Sequence, residues 1–129
     1  MKKLIALEEA AQCLAALYCF YLLHLQVHLA LVVLLFFSPD LGAIGYLWND
    51  TTGAIFYNLL HHKFVAILLI CAGYFLAENW WVGLGLLYFA HSSFDRALGY
   101  GLKFPDSPSK THLGYIGKEK YKNKEMTAQ

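Results

Sequence analysis

Histidine and aspartate side chains recur in this sequence inside otherwise apolar stretches, at spacings typical of one face of a helix. His91 and Asp95 are four residues apart, so a helix carries both side chains on the same face. Asn58 and His61 are three residues apart and share a face in the same way. Imidazole and carboxylate groups are common ligands of Zn²⁺ and other divalent ions. The pattern therefore predicts a metal site built from more than one helix.

These groups also lie at similar depths if each apolar stretch is a helix that crosses a membrane. At 1.5 Å per residue, Asp40 lies about 12 Å from the end of its stretch, and His61 and His91 about 15 Å from theirs. Asp95 lies about 9 Å from the same end as His91. Pro39 precedes Asp40, and a proline inside a helix removes a backbone hydrogen bond and bends the helix. We therefore expect the two aspartates and two histidines to meet in one layer.

The composition indicates the kind of protein that must position these side chains. Hydrophobic residues make up 58% of the 129 residues and charged residues only 15%, against about 25% charged residues in an average soluble domain. A disordered chain is excluded because it needs low hydrophobicity and high charge. The net charge of +1 gives no basic signature for nucleic-acid binding. The sequence is typical of an integral membrane protein, and we expect membrane lipid but no nucleic acid as a partner.

Counting apolar stretches of about 20 residues predicts four membrane spans. Residues 4–48 are long enough for two spans, with a turn at the polar residues around Gln26. A third span is expected over about 53–75 and a fourth over about 80–101. The predicted fold is all-α, a four-helix transmembrane bundle with a short polar C-terminal tail.

The domain organisation and orientation follow from where the charges lie. We expect residues 1–101 to form the four-span transmembrane domain and residues 102–129, which contain six lysines, to form a polar basic segment. Lys2 and Lys3 lie at the other end of the chain, and basic residues favour the cytoplasmic side. The sequence thus predicts both termini in the cytoplasm.

Further residues are candidates for chemistry around a divalent metal, of which zinc is the first choice. The predicted metal ligands are Asp40, His61, His91 and Asp95. Glu8 and Asp40 are the candidate catalytic residues, because a carboxylate can act as general base toward an attacking water. The candidates for binding substrate or closing the site are Asn58, Arg96, Lys103 and His112.

The sequence alone leaves non-catalytic alternatives open. The His91/Asp95 pair can serve only as a hydrogen bond between helices, and Asp40 can form a buried salt bridge with Lys63 or Arg96. The polar layer can also relay protons or bind an ion in a transport subunit. Because four helices are few for a transporter, that alternative requires a homo-oligomer.

Three strings of residues resemble an uncharacterised family of small bacterial integral membrane proteins, domain of unknown function 4260. They are SPDLG followed by GYL in 38–47, GA followed by YNLLH in 53–61, and HSSFDRALGYGLK in 91–103. The resemblance extends to Leu7-Glu8 and to the string THLG in 111–114. It implies a four-helix protein of the bacterial inner membrane and carries no established activity.

A looser resemblance is to the membrane-bound metal-dependent hydrolases. The shared features are Pro-Asp at the end of one span, a histidine within the next, and H-x-x-x-D on the last. Carried over, they imply Asp40, His61, His91 and Asp95 as metal ligands of a hydrolase. The predicted depth of these residues, in the cytoplasmic half of the membrane, suggests a lipid or lipid-linked substrate. The sequence departs from that pattern at Gly42, where a second aspartate is expected, and in lacking an early histidine, for which Glu8 can substitute. The resemblance therefore implies one metal ion rather than several.

Overall fold

The computed structural model describes residues 1–127 and shows a mainly helical protein with one small sheet. The helices are α1 (Lys2–Leu22), α2 (Leu29–Phe37), a 3-10 helix (Ser38–Leu47), α3 (Asp50–His61), α4 (Lys63–Phe75), α5 (Asn79–Leu98) and α6 (Lys118–Met126). The strands are β1 (Lys103–Phe104), β2 (Ser107–Thr111) and β3 (Gly114–Tyr115), and they form an antiparallel sheet in chain order.

Two helical segments are long and apolar enough to cross a membrane. They are Lys2–Leu22 and Leu29–Leu47, the second of which is α2 continued by the 3-10 helix. A third is added if α3 and α4, which meet at a 46° bend, count as one broken span. These segments support membrane association, as the sequence predicts. Helix α5 is not among the segments that are long and apolar enough to span a membrane. The prediction of four spans is therefore not confirmed.

Helix α5 is instead the central helix of the fold. It packs along α1 and α4 and also contacts α2 and α3. Leu87 and Ala90 of α5 are fully buried. The approach to α4 is close, since a Cβ on Gly85 would lie 2.7 Å from the carbonyl oxygen of Ala66. A helix surrounded by protein can carry polar side chains that lipid would not tolerate.

The segment between α2 and α3 brings Asp40 toward α3. The buried Pro39 stands in the first turn of the 3-10 helix, so the bend predicted there is a change of helix type. This helix lies against α3, because a Cβ on Gly42 would come within 2.8 Å of the carbonyl oxygen of Phe56. Helix α3 begins directly after it, where the Asn49 side chain accepts a hydrogen bond from the Thr52 N–H at 2.7 Å.

The polar segment after α5 is folded, which corrects the all-α expectation. Strands β1 to β3 and helix α6 lie within it. Strand β1 contacts α3, and the turn from β2 to β3 uses Gly114 at a positive φ of 119°, a conformation that costs glycine little. Residues 128 and 129 of the predicted tail lie outside the described residues. The sheet thereby covers the same end of the helices that carries His61 and Asp95.

Candidate metal centre

Four of the predicted side chains meet at one point in the fold. Asp40 comes from the 3-10 helix, His61 is the last residue of α3, and His91 and Asp95 lie one turn apart on α5. Each contributes one nitrogen or oxygen, and these four atoms all lie within 4.8 Å of one another. The prediction that these residues converge is confirmed, while their roles as ligands remain a prediction.

Several of the distances between these atoms lie close to those expected around a tetrahedral ion. The Nε2 atoms of His61 and His91 are 3.1 Å apart, and Asp40 Oδ1 lies 3.3 Å from the first and 3.4 Å from the second. Asp95 Oδ2 lies 3.4 Å from His61 Nε2. Ligand bonds of about 2.0–2.2 Å in a tetrahedron separate neighbouring ligand atoms by about 3.3–3.6 Å. The contact between His91 Nε2 and Asp95 Oδ1 is longer, at 3.9 Å. The four groups could therefore hold one divalent ion.

The hydrogen bonding of His61 fixes which of its ring nitrogens can bind an ion. Its Nδ1 lies 2.9 Å from the carbonyl oxygen of Tyr57, which can only accept, so Nδ1 carries the proton. In the neutral ring Nε2 then has a free lone pair, directed at the carboxylates of Asp40 and Asp95. A backbone carbonyl that holds the second nitrogen in this way is the usual support of a metal-binding histidine.

Burial divides the cluster into a closed side and an open side. The side chains of His61 and His91 are 4% and 1% exposed and that of Asp95 16%, whereas that of Asp40 is 51% exposed. The rings of Phe36 and Phe37 lie edge-on to the His91 ring, at centroid distances of 5.2 and 5.8 Å. Water or a substrate can therefore reach the cluster beside Asp40, while the other three groups are held by packing.

Tyr57 is a member of the site that sequence reasoning missed. Its ring stacks on the His61 ring with centroids 3.8 Å apart. Its hydroxyl donates to Asp95 Oδ2 at 3.0 Å. Tyr57 thus holds a histidine through its ring and backbone and an aspartate through its hydroxyl. The available signal was its position four residues before His61, which places both on one helix face.

Asn58 and Lys103 connect the sheet to the cluster. The Asn58 amide donates to the Lys103 carbonyl oxygen at 2.8 Å and accepts from the Lys103 N–H at 2.7 Å, so it fixes the backbone of β1. The Lys103 ammonium lies 4.1 Å from the centre of the Tyr57 ring. Burial lowers the pKa of Lys103, and the charges of Asp95 and Asp40 oppose that shift. Asn58 is therefore a positioning residue for a lysine close to the cluster.

The acidic residue that α1 directs into the bundle is Glu9 rather than Glu8. Glu9 forms an ion pair with Lys63, and its second oxygen lies 3.9 Å from Arg96 Nη1. The alternative in which Asp40 pairs with Lys63 or Arg96 is therefore not what the structure shows. Glu8 is exposed and accepts a hydrogen bond from the Gln12 side chain at 3.4 Å. The structure does not bring Glu8 to the cluster, because it lies on the outer face of α1.

His112 lies outside the four-residue cluster, on the far side of the chain that follows α5. Its Nδ1 accepts a hydrogen bond from the Leu102 N–H at 2.8 Å. Burial, and after it the charge of Arg96, lower the pKa of His112. The ring is therefore neutral near pH 7, with its proton on Nε2. His112 and Arg96 face a separate cavity, which also includes residues of α1.

Comparison with known proteins agrees with the three strings noted in the sequence. The model of the family described as Domain of unknown function (DUF4260) matches residues 2–116. No curated protein and no solved structure matches the chain. The looser resemblance to membrane-bound metal-dependent hydrolases is not among these findings.

Proposed function

The chain belongs to the DUF4260 family, and from its geometry we propose that it is a membrane protein that binds one divalent metal ion and hydrolyses a lipid or lipid-linked ester. The ligands in this proposal are Asp40, His61, His91 and Asp95, and we propose zinc as the ion because it is commonly bound by imidazole and carboxylate groups. The protein lies in the inner membrane with the end that carries Lys2, Lys3 and the sheet facing the cytoplasm.

The observation that carries the proposal is a cluster of acceptor atoms that needs a cation. The carboxylates of Asp40 and Asp95 bring two negative charges, and the free lone pair of His61 Nε2 points at both. Acceptors at 3.3–3.4 Å repel one another unless a positive charge lies between them. A divalent ion balances the two carboxylates and leaves both imidazoles neutral.

The proposed chemistry assigns a role to each residue around the ion. A divalent ion in such a site polarises a phosphoryl or acyl oxygen and lowers the pKa of a coordinated water. Asp40 stands at the open side, where it can accept the proton of the attacking water. The Lys103 ammonium offers a charge to an anionic ester. Water adds to the phosphorus or carbonyl carbon, the ester bond breaks, and the leaving alcohol takes a proton.

The surroundings of the opening favour a lipid as substrate. Asp40 is followed in the 3-10 helix by Leu41, Ile44 and Leu47, all more than half exposed. An apolar cavity of about 320 Å³ lies along this helix and includes Phe56 of α3. A polar headgroup at the cluster would therefore have an apolar surface beside it for its acyl chain.

One observation favours the non-catalytic alternative, in which the polar layer binds a proton or ion. The 3.1 Å between the Nε2 atoms of His61 and His91 is also the length of a hydrogen bond, so one shared proton can hold the pair together. In a homo-oligomer such a proton-binding layer would suit a transport subunit.

Metal analysis of the purified full chain separates the two functions. We expect about one equivalent of zinc or a similar ion per chain, and less than a tenth of that in His91→Ala/Asp95→Ala. The matched control is His28→Ala, since His28 is exposed and its side chain makes no capping hydrogen bond. Circular dichroism and gel filtration in detergent check that the variants are folded.

The catalytic step has its own test. Release of phosphate or fatty acid from labelled bacterial lipids should require the metal, cease with EDTA, and fall at least about a hundredfold in Asp40→Asn, which loses a ligand and base together. A chain that carries no metal and takes up none when zinc is added contradicts the metal proposal. A metal-loaded chain that hydrolyses no lipid class contradicts the hydrolase proposal and favours the binding function.

A further inference from the structure

A second polar site lies beyond the metal cluster, between the start of α1, the end of α5 and the turn of the sheet. It is a cavity of about 370 Å³, within the range of small-molecule sites. It is lined by the basic side chains of Lys2, Lys3 and Arg96 and by the imidazole of His112. Within the described part of the chain, no aspartate or glutamate is among its lining residues. We call it the basic pocket.

The donors of the basic pocket come from three separate elements. Lys2 and Lys3 belong to α1 and Arg96 to α5, and the Lys2 ammonium extends toward the sheet, 4.0 Å from where a Cβ on Gly114 would lie. His112 comes from the turn between β2 and β3, and its hydrogen bond with Leu102 leaves an Nε2–H as donor. Donors from distant parts of the sequence converge here only because the sheet folds back over the helix ends.

The nearest negative charges do not cancel these donors. Glu9 lies 3.9 Å from Arg96, but its shorter contact is with Lys63, which does not line the pocket. Within residues 1–127, no carboxylate lies within 4.0 Å of Lys2 or Lys3. At the end of α5, the carbonyl oxygen of Asp95 accepts a hydrogen bond from the Tyr100 N–H, and that of Arg96 accepts one from the Gly99 N–H. The pocket therefore has a surplus of positive charge.

The remaining wall of the basic pocket is apolar. Ile5 and Ala6 of α1 line one side, and Ala97 and Leu98 of α5 line the other. Helix α1 is apolar enough to cross a membrane, and Lys2 and Lys3 stand at its first turn. The pocket thus lies at the end of a candidate span, at the level where lipid headgroups meet acyl chains.

We propose that the basic pocket binds the phosphate-bearing headgroup of an anionic phospholipid, with the lipid tails lying along the apolar faces of α1 and α5. Lysine and arginine clusters beside a membrane span recognise anionic headgroups by charge, and the apolar wall distinguishes a lipid from a free phosphate ion. The site uses none of the four metal-cluster residues. The proposal of a lipid-binding site therefore does not depend on the proposed hydrolase activity.

The test measures binding of three probes to the full chain in detergent. The probes are dioctanoyl phosphatidylglycerol, dioctanoyl phosphatidylcholine and inorganic phosphate. Their binding is measured by native mass spectrometry and by calorimetry. The variant Lys2→Gln/Lys3→Gln removes two exposed charges of the pocket. The matched control, Lys120→Gln/Lys124→Gln, removes two exposed charges from α6, a helix that contacts the sheet and contributes none of the residues that line the basic pocket.

We expect phosphatidylglycerol to bind at least about tenfold more tightly than phosphatidylcholine, and the pocket variant to lose about tenfold in that affinity. The control variant should bind as the unchanged chain does, and EDTA should have no effect. The proposal is overturned if the pocket variant binds normally, or if the α6 control loses as much, because diffuse charge would then explain binding. It is also overturned if inorganic phosphate binds as tightly as the lipid and displaces it.

Discussion

The two halves of α5 are built in opposite ways, although they belong to one continuous helix. In the first half the buried residues are Gly83, Gly85 and Leu87, and neighbouring helices approach the backbone itself. In the second half the buried residues after Ala90 are polar, His91, Ser92 and Ser93, with Asp95 one turn further. The first half positions the helix through close packing at its glycines, and the second half carries two side chains of the candidate metal centre.

This difference explains why the helix that carries His91 and Asp95 does not meet the length and apolarity typical of a membrane span. Charged side chains cost about 2.5–3.5 kcal/mol each at the centre of a lipid-facing helix. The polar half of α5 avoids much of that cost because residues of α1, α2 and α3 pack against it. The glycine half makes this possible, since close packing with α4 holds α5 inside the bundle. Variants that act on one half and not the other can test this division.

The largest effect is expected at the polar half, in Tyr57→Phe. This change keeps the ring that stacks on His61 and removes only the hydroxyl that donates to Asp95. Loss of such a supporting hydrogen bond weakens metal binding by about 10–100-fold. Competition with a chelator of known affinity measures the change in Kd for zinc.

The control for that variant is Tyr74→Phe, because Tyr74 is 81% exposed and lies on α4 away from the cluster. It should bind zinc as the unchanged chain does. If Tyr57→Phe also binds zinc with unchanged Kd, the Tyr57 hydroxyl does not position Asp95 as a metal ligand. The polar half would then have a structural role.

Much of the polar half was accessible from the sequence, because helical spacing alone relates its residues. The four-residue step from His91 to Asp95 needs no tertiary information, and depth along each apolar stretch correctly placed Asp40 and His61 in the same layer. The face of α1 that packs against the bundle could not be predicted in this way. Glu8 and Glu9 are adjacent, and only the packing of α1 on α5 decides which one faces the bundle.

Two other features depend on tertiary structure and were missed for that reason. The sheet forms where Asn58 pairs with the Lys103 backbone, a contact across 45 residues that no local pattern indicates. The bend at His62 interrupts a stretch that is apolar enough to be continuous, and the His62 side chain caps α4 by accepting from the Phe64 N–H at 3.2 Å.

An intermediate effect is expected in the glycine half, in Gly85→Ala. A methyl group there would lie 2.7 Å from both the Ala66 carbonyl oxygen and the Ile70 side chain, so α4 and α5 must separate. Overpacking of this kind costs about 1–3 kcal/mol, and the thermal midpoint of unfolding in detergent should fall. The folded fraction should keep its metal, because His91 lies six residues away, about 9 Å along the helix. Loss of metal without loss of stability would show that the two halves are not separable.

The smallest effect should come from Ser93→Ala, which tests whether every polar residue of the second half is needed. Ser93 is fully buried, and within the described residues its hydroxyl has no hydrogen-bond partner. Its removal should change the free energy of unfolding by no more than about 0.5 kcal/mol, since no bond is lost and an unpaired group is no longer buried. Ser92→Ala is the matched comparison, because the Ser92 hydroxyl donates to the Tyr88 carbonyl oxygen at 2.9 Å and its loss should cost about 0.5–1.5 kcal/mol. A larger cost for Ser93→Ala than for Ser92→Ala would mean that the Ser93 hydroxyl has a partner in the working protein, and the chemistry of α5 would then extend beyond the His91/Asp95 pair.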